Sequence, residues 1–154
     1  MRQKKFLLSS NLFPLAKWLR FLGYDAVFPK AVSFSKKAAI AKKEGRVILT
    51  SSKAEAKRAK ETIYIKAQKT KDQLAELISY SKSIHMNKNR LFTVCPLCNR
   101  LLNPIEKKRV ESLVPEVIFQ SKEQFKICRR CGRVFWRGSQ TKEIEETLKE
   151  IFKK

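Results

Sequence analysis

The sequence predicts an α/β protein, in which a parallel sheet with flanking helices is followed by a small four-cysteine zinc ribbon and a C-terminal helix. Short apolar runs alternate with amphipathic segments over residues 1–82, the pattern of consecutive βαβ units. Two Cys-x-x-Cys pairs lie within residues 91–140. Residues 141–154 then place Ile144, Leu148 and Ile151 at helical spacing. These three observations define three expected units, 1–82, 91–140 and 141–154.

The first unit is expected to alternate strand and helix four times. Its predicted strands are residues 6–8, 26–28, 47–50 and 62–65. The first helix is predicted from helically spaced apolar side chains and ends at a glycine: Leu15, Trp18, Leu19, Leu22 and Gly23. The other helices are predicted from their caps and terminator: Ser35 and Gly45 for the second, Ser52 with Glu55 for the third, Thr70 with Gln73 for the fourth. Residues 81–90 are polar and aperiodic, which predicts a linker.

The charge balance predicts a polyanionic partner. The chain carries 35 Lys and Arg against 14 Asp and Glu, a formal net charge of +21. Such a surface repels itself unless an anion neutralises it, and phosphate contacts dominate non-specific affinity for nucleic acid. The apolar run after the basic residues at the start is too short for a signal peptide, and no run approaches the roughly 20 apolar residues of a membrane span. We therefore expect a cytoplasmic protein with no membrane association.

The cysteines predict one structural zinc site. Cys95 and Cys98 form the first pair, Cys128 and Cys131 the second, with 29 residues between the pairs. Two such turns allow four thiolates to surround one ion tetrahedrally, and four protein ligands leave no open position for a substrate. Cytoplasmic thiols stay reduced, which favours a metal over disulfides. A ribbon this small is expected to need the ion in order to fold.

The segment that follows the second pair, CGRVFWRGS at 131–139, resembles the Mut-seven C-terminal RNase domain family. Residues 15–25, 43–50 and 110–115 resemble other stretches of that family. The resemblance implies a PIN-like nuclease fold followed by a zinc ribbon. It also implies metal-dependent RNA cleavage, with aspartates at the carboxyl ends of parallel strands holding Mg²⁺ or Mn²⁺.

The chain departs from the family at those acidic positions. Ser9 stands where the family has Asp after the first strand, Thr50-Ser51-Ser52 stands in place of Thr-Arg-Asp, and residues 32–35 also lack a carboxylate. The only aspartates are Asp25, at the start of a strand, and Asp72, in the first turn of a helix. We therefore expect no catalytic residues and no Mg²⁺ or Mn²⁺.

The remaining candidates for catalysis are also weak. Glu44 and Glu55 lie on amphipathic segments, where they are expected to pair with lysines one turn away. The single histidine, His85, falls in the predicted linker without a partner, and Gln140 occupies the place where the family tends to carry His. A catalytic interpretation therefore finds no acid-base pair.

The expected function is RNA binding by a catalytically inactive relative of a nuclease. Ser9, Ser10, Ser51 and Ser52 should lie at the strand ends, where open parallel sheets bind ligands, although helix capping explains Ser52 equally well. The predicted contacts to RNA phosphates are Lys17, Arg20, Lys36, Lys37, Ser51, Lys53, Lys57, Arg58, Arg133 and Arg137. RNA is favoured over DNA, with ribosomal RNA as one possibility. Two alternatives stay open: an active metal-dependent endoribonuclease, and a ribosome-associated or assembly module.

Overall fold

Four parallel strands form the first sheet of the computed structural model, which describes residues 2–154. They are β1 (Lys5–Leu8), β2 (Asp25–Val27), β3 (Arg46–Thr50) and β4 (Thr62–Tyr64). Their order is β2-β1-β3-β4, so β1 and β3 occupy the centre. Each strand lies within one residue of its predicted bounds. The α/β fold and its parallel sheet are therefore confirmed.

Helices cover both faces of this sheet. They are α1 (Phe13–Phe21), α2 (Phe34–Glu44), α3 (Lys53–Ala56) and α4 (Thr70–Tyr80). Successive strand residues face opposite sides, so Phe6 and Leu8 join the larger core under α1 and α4, whereas Leu7 packs with Phe34 of α2. This alternation places the sheet between two layers of helix.

Two predicted helix caps were wrong. Ser33, not Ser35, caps α2, because its side chain accepts a hydrogen bond from the backbone N–H of Lys36. Thr70 lies inside α4, which begins after Lys69 without a side-chain cap. Ser52 does cap α3 by accepting from the backbone N–H of Glu55.

A second, antiparallel sheet forms the ribbon. Its strands are β5 (Asn103–Ile105), β6 (Phe125–Ile127) and β7 (Val134–Phe135), in the order β5-β6-β7. The helix α5 (Glu116–Ser121) lies between β5 and β6 in the chain. The buried apolar side chains of the ribbon core are only Val110, Val114 and Phe125 among the described residues. Such a small core needs additional stabilisation.

The last helix, α6 (Ser139–Lys153), belongs to the larger core. Leu148 and Ile151 pack into the apolar cluster that α1 and α4 also line. The helix is confirmed, although it begins at Ser139 rather than Thr141.

The segment predicted as a linker is packed, although it forms neither helix nor strand. Ile84 is 3% exposed, and the hydroxyl of Tyr24 accepts a hydrogen bond from the backbone N–H of His85. A Cβ added at Gly23 would lie 2.5 Å from the carbonyl oxygen of Arg90. This segment therefore fits closely against the end of α1. Within residues 2–154 the structure has no helix that combines the length and the apolar character needed to cross a membrane.

Candidate metal centre and strand-end site

The four cysteines converge on one point between two tight turns. Their Sγ atoms all lie within 4.8 Å of one another, and Cys95 Sγ is 4.0 Å from Cys131 Sγ. Thiolates around a tetrahedral ion with metal–sulfur bonds of about 2.3 Å would be about 3.8 Å apart. None of the four forms a disulfide. The cluster could therefore hold a metal ion, as the sequence predicts.

The turns themselves aim these sulfur atoms. The backbone N–H of Asn99 donates to the carbonyl of Cys95 over 2.9 Å, and that of Gly132 to the carbonyl of Cys128 over 2.8 Å. The N–H of Cys98 also points at Cys95 Sγ, 3.4 Å away. Donors of this kind stabilise a thiolate. Gly132 adopts a φ of +74°, a left-handed conformation that favours glycine and lets the second turn close.

The thiols are too crowded to ionise together without a cation. Burial, together with the neighbouring Cys128 sulfur, raises the pKa of Cys95 to about 12. Burial also raises the pKa of Cys98. At Cys128, burial acts upward, but hydrogen bonds from the backbone N–H groups of the turn outweigh it and lower the pKa to about 7. Ionisation of one sulfur opposes ionisation of the others, and a bound cation would remove that opposition.

The first turn of the metal centre docks directly on the edge of the parallel sheet. Asn99 accepts a hydrogen bond from the backbone N–H of Ala26 and donates to Asp25 over 2.6 Å. Arg20 bridges the same two units: its Nη1 donates to the carbonyl of Pro96 over 2.7 Å, and its Nε and Nη2 donate to the carbonyl of Ala26. Arg20 is only 3% exposed. It is therefore a docking residue rather than the surface phosphate contact predicted from the sequence.

Asp25 and Glu44 both bind the buried guanidinium of Arg46. Arg46 Nη1 lies 2.8 Å from Asp25 Oδ1, and its Nε donates to Glu44. Burial would raise the pKa of Asp25, but the hydrogen bonds from Arg46 and Asn99 outweigh it and lower the pKa. The predicted pairing of Glu44 with a lysine was wrong. The prediction that Asp25 lies away from the carboxyl ends of the strands is correct, since it is the first residue of β2.

The carboxyl ends of β1 and β3 carry a small polar cluster. Thr50 is fully buried, and its Oγ1 donates to Glu55 Oε2 over 2.6 Å. Ser9 Oγ lies 3.2 Å from Thr50 Oγ1 and 3.4 Å from the same carboxylate oxygen. Next to them, Asn11 donates to Ser51 Oγ. We call Ser9, Thr50 and Glu55 the strand-end cluster.

Glu55 is the residue that sequence reasoning misplaced. It was expected to pair with a lysine, but its side chain turns back over the strand ends and accepts from hydroxyl groups instead. Its position three residues after Ser52 resembles a capping box, and that spacing concealed the alternative partner at Thr50. The helix that carries Glu55, α3, is only four residues long, so the helix dipole expected here is small.

The strand-end cluster does not fit Mg²⁺ or Mn²⁺. These ions need several oxygen ligands, and they are usually held by clustered carboxylates. Within residues 2–154, the four cysteines form the only group of three or more Asp, Glu, His or Cys side chains close enough to share an ion. The strand-end cluster contains one carboxylate, that of Glu55, and a site for these ions would need several.

The other predicted phosphate contacts differ in exposure. Those exposed at the surface are Lys36, Ser51, Lys53, Lys57, Arg58, Arg133 and Arg137. Lys17 is half-buried, and Lys37 is only 8% exposed. Two of the exposed arginines have partners in the chain: Arg58 lies 4.8 Å over the ring of Phe34, and Arg137 lies 3.9 Å from Glu145. Exposure leaves six basic residues and Ser51 as candidates.

Comparison with known families gives one match. The family model described as the Mut7-C RNAse domain, the Mut-seven C-terminal family, matches residues 4–148. This range includes the parallel sheet, the ribbon and most of α6. No curated protein and no solved structure matches the chain significantly.

Proposed function

Because the chain belongs to the Mut7-C RNAse domain family, we propose that it is an RNA-binding protein that has kept a nuclease-like scaffold without the metal-dependent cleavage. One observation carries the proposal: the strand ends hold Ser9, Thr50 and a single carboxylate, that of Glu55, in place of an acidic cluster. Divalent-metal catalysis of phosphoryl chemistry needs the ion to be fixed by its ligands. A single carboxylate that already accepts hydrogen bonds from two hydroxyl groups is too few ligands to fix such an ion.

The basic surface supplies the affinity in this proposal. The 35 Lys and Arg residues are opposed by only 14 Asp and Glu, which leaves a formal net charge of +21. Exposed Ser51, Lys53 and Lys57 follow β3 directly in sequence, on the side of the sheet where parallel α/β proteins bind ligands. Phosphate oxygens are the natural partners of these groups. RNA is favoured over DNA because the family is named for an RNase.

We also propose that the cysteine cluster binds zinc and that the ion is structural. Four thiolates at tetrahedral spacing suit Zn²⁺, and they leave no position open for substrate. The three-residue apolar core of the ribbon gives the ion a folding role. In the cytoplasm, the location predicted from the sequence, the four thiols would stay reduced and available to the ion.

Titration of labelled RNA against the zinc-loaded protein at increasing salt tests the binding. Affinity should fall steeply, because each phosphate contact to a single strand contributes about 0.7 to the slope of log affinity against log salt. A matched titration with DNA of the same sequence measures the preference for RNA. Absence of RNA binding at low salt, or a flat salt response, would refute the proposal.

The second candidate function, an active metal-dependent RNase, is favoured by the position of Glu55 alone. Incubation of the protein with RNA and Mn²⁺ separates the two, with reactions that lack Mn²⁺ as the blank, since a chelator would also remove zinc. Glu61→Gln is the matched control, because Glu61 is exposed and precedes β4 rather than following a strand end. Cleavage that is lost in Glu55→Gln but kept in Glu61→Gln would establish the RNase.

The remaining proposal concerns the RNA itself. A surface of this charge without base-reading motifs suits structured RNA, including ribosomal RNA, in which phosphates from several strands come close together. Sedimentation of cell extracts tests it: the protein should travel with ribosomal particles and leave them at high salt. Persistence in those fractions after complete RNA digestion would favour an assembly module that binds protein instead.

A further inference from the structure

Three arginines line one cavity on the face of the ribbon that carries both metal-binding turns. The cavity has a volume of about 760 Å³. Its lining consists of Asn99, Arg100, Leu101, Asn103, Arg129 and Arg130. No acidic side chain contributes to this lining, so its formal charge is +3. We refer to it as the arginine cavity.

The metal centre fixes the backbone of all three arginines. Arg129 and Arg130 are the two residues between Cys128 and Cys131. Arg100 follows the first turn, where its carbonyl accepts a hydrogen bond from the N–H of Cys95 over 2.8 Å. A bound ion would hold the two turns together, and with them the spacing of the three side chains. The cavity is therefore a built feature of the ribbon rather than a chance grouping on mobile loops.

Unlike Arg46 and Arg137, the three arginines of the cavity have no anionic partner. Arg46 binds Asp25 and Glu44, and Arg137 lies near Glu145. Across residues 2–154, no carboxylate lies within ion-pair distance of Arg100, Arg129 or Arg130. All three are exposed. Their guanidinium groups retain all their donors for a ligand.

A neighbouring cavity of about 780 Å³ extends this surface towards the parallel sheet. It shares Arg100 and Arg130 with the arginine cavity. Its two carboxylates, Asp25 and Glu44, are both occupied by Arg46. Its lining has four arginines, Arg20, Arg46, Arg100 and Arg130, against those two carboxylates, so the second cavity also carries a net positive charge.

The chemistry of the lining selects a phosphodiester. Guanidinium forks bind phosphate oxygens in pairs, and clusters of arginine without acids are typical of phosphate recognition. The side chain of Leu101 is 72% exposed at the same cavity and offers an apolar surface to a sugar or base. The amide groups of Asn99 and Asn103 are engaged within the chain, so the arginines are the donors available to a ligand.

We propose that the arginine cavity binds consecutive phosphates of the RNA backbone, so that the ribbon, and not only the strand ends, forms the RNA-binding surface. This inference rests on the proposed RNA-binding function. The competing role for these arginines is to offset the negative charge of a four-thiolate centre. Charge compensation needs positive charge but not the planar guanidinium group. Replacement of the arginines by lysine therefore distinguishes the two roles.

The experiment compares three variants of the 154-residue, zinc-loaded chain by fluorescence anisotropy with a short labelled RNA hairpin. The first variant is R100Q/R129Q/R130Q, the second R100K/R129K/R130K. The third, K142Q/K153Q/K154Q, is the matched control, because it loses the same charge from exposed residues of α6 and its C-terminal end, outside the cavity. Zinc content and far-ultraviolet circular dichroism, measured for each variant, report folding.

The glutamine variant at the cavity should lose about tenfold or more in affinity relative to the control variant. Its salt slope should fall by about 2 to 3 for three lost phosphate contacts, since each contributes about 0.7 on a single strand and about 0.9 on a duplex. The lysine variant should keep most of the salt slope but lose several-fold in affinity, because ammonium groups do not reproduce the paired contacts. All three variants should retain zinc.

If the glutamine variant and the control bind RNA with equal affinity, the arginine cavity does not bind RNA phosphates, although the protein still binds RNA. Loss of zinc from the glutamine variant, with zinc and full affinity retained in the lysine variant, would instead assign the arginines to charge compensation. Failure of the unmodified chain to bind RNA would overturn the proposed function itself. Should the triple variant fail to fold, the same comparison applies to R100Q alone, which leaves the second turn intact.

Discussion

Replacement of Arg20 by alanine tests whether this side chain holds the ribbon against the parallel sheet. Its guanidinium donates to two carbonyl oxygens, those of Ala26 and Pro96, at distances between 2.7 and 3.0 Å. A hydrogen bond from a charged donor contributes about 1.5–3 kcal/mol. Removal of the side chain also recovers its desolvation cost, and burial indeed lowers the pKa of Arg20. We therefore take the lower limit for each acceptor, and expect Arg20→Ala to reduce the free energy of unfolding by about 3 kcal/mol.

Urea denaturation of the zinc-loaded protein measures this change, with Lys17→Ala as the control on the same helix. Lys17 is half-buried, and its replacement should cost about 0.5 kcal/mol. Arg20→Lys provides a second comparison, because it keeps the charge but cannot reach both carbonyls with one fork. Arg20→Lys should lose most of the stability that Arg20→Ala loses, while leaving the salt dependence of RNA binding unchanged. A loss below about 1 kcal/mol for Arg20→Ala would refute the docking role.

Three further predictions concern the end of α1, the metal centre and the ion pair at β2. Gly23→Ala should lower the free energy of unfolding by at least about 2 kcal/mol, because φ is +86° and the new Cβ would meet the carbonyl of Arg90; an unchanged urea midpoint would contradict this. Cys128→Ser should reduce bound zinc, as measured by elemental analysis. It should also weaken the near-ultraviolet circular dichroism of Trp136, because Trp136 packs on the ribbon core. Full zinc occupancy of the variant would argue against Cys128 as a ligand. Burial alone would raise the pKa of Asp25, but hydrogen bonds from Arg46 and Asn99 outweigh it and lower the pKa. The stabilisation from Asp25 should therefore be complete above its unfolded pKa of about 3.9 and disappear as the pH falls through the lower folded pKa. Asp25→Asn should be less stable than the unmodified protein at neutral pH and should converge with it in acid; a constant difference across this range would contradict the assignment.

The sequence predicted the strands well because their signal is local. Each strand of the parallel sheet is a short apolar run bounded by helical segments, and burial on both faces demands such runs. The cysteine cluster was equally predictable, since two Cys-x-x-Cys turns separated by a small ribbon bring four sulfur atoms together. The family followed from the residues after the second turn, and the match over residues 4–148 confirms it.

The errors lie where a side chain has a choice of partners. Arg20 carries the charge of a surface residue, yet its side chain is buried. It extends from α1 to donate to the carbonyl groups of Ala26 and Pro96, which need donors. Glu55 was assigned to a lysine by its spacing along a helix. In the folded chain Thr50 is closer, and it offers a hydroxyl where the strand ends. Sequence spacing cannot rank such partners, because the competing group comes from another element.

What the sequence by itself determined is the parallel sheet with its helices, the four cysteines that could hold an ion and the lack of aspartates after the strands, since all three depend on residue type and local spacing. What only the tertiary structure decided is the arrangement between units. The ribbon lies against the edge of the parallel sheet through Asn99 and Arg20, and α6 completes the larger core. This docking sets which arginines are buried as donors and which, like Arg100 and Arg130, are left open in a cavity. The physical reason is that a guanidinium is charged wherever it lies, whereas its availability depends on acceptors brought to it from distant parts of the chain.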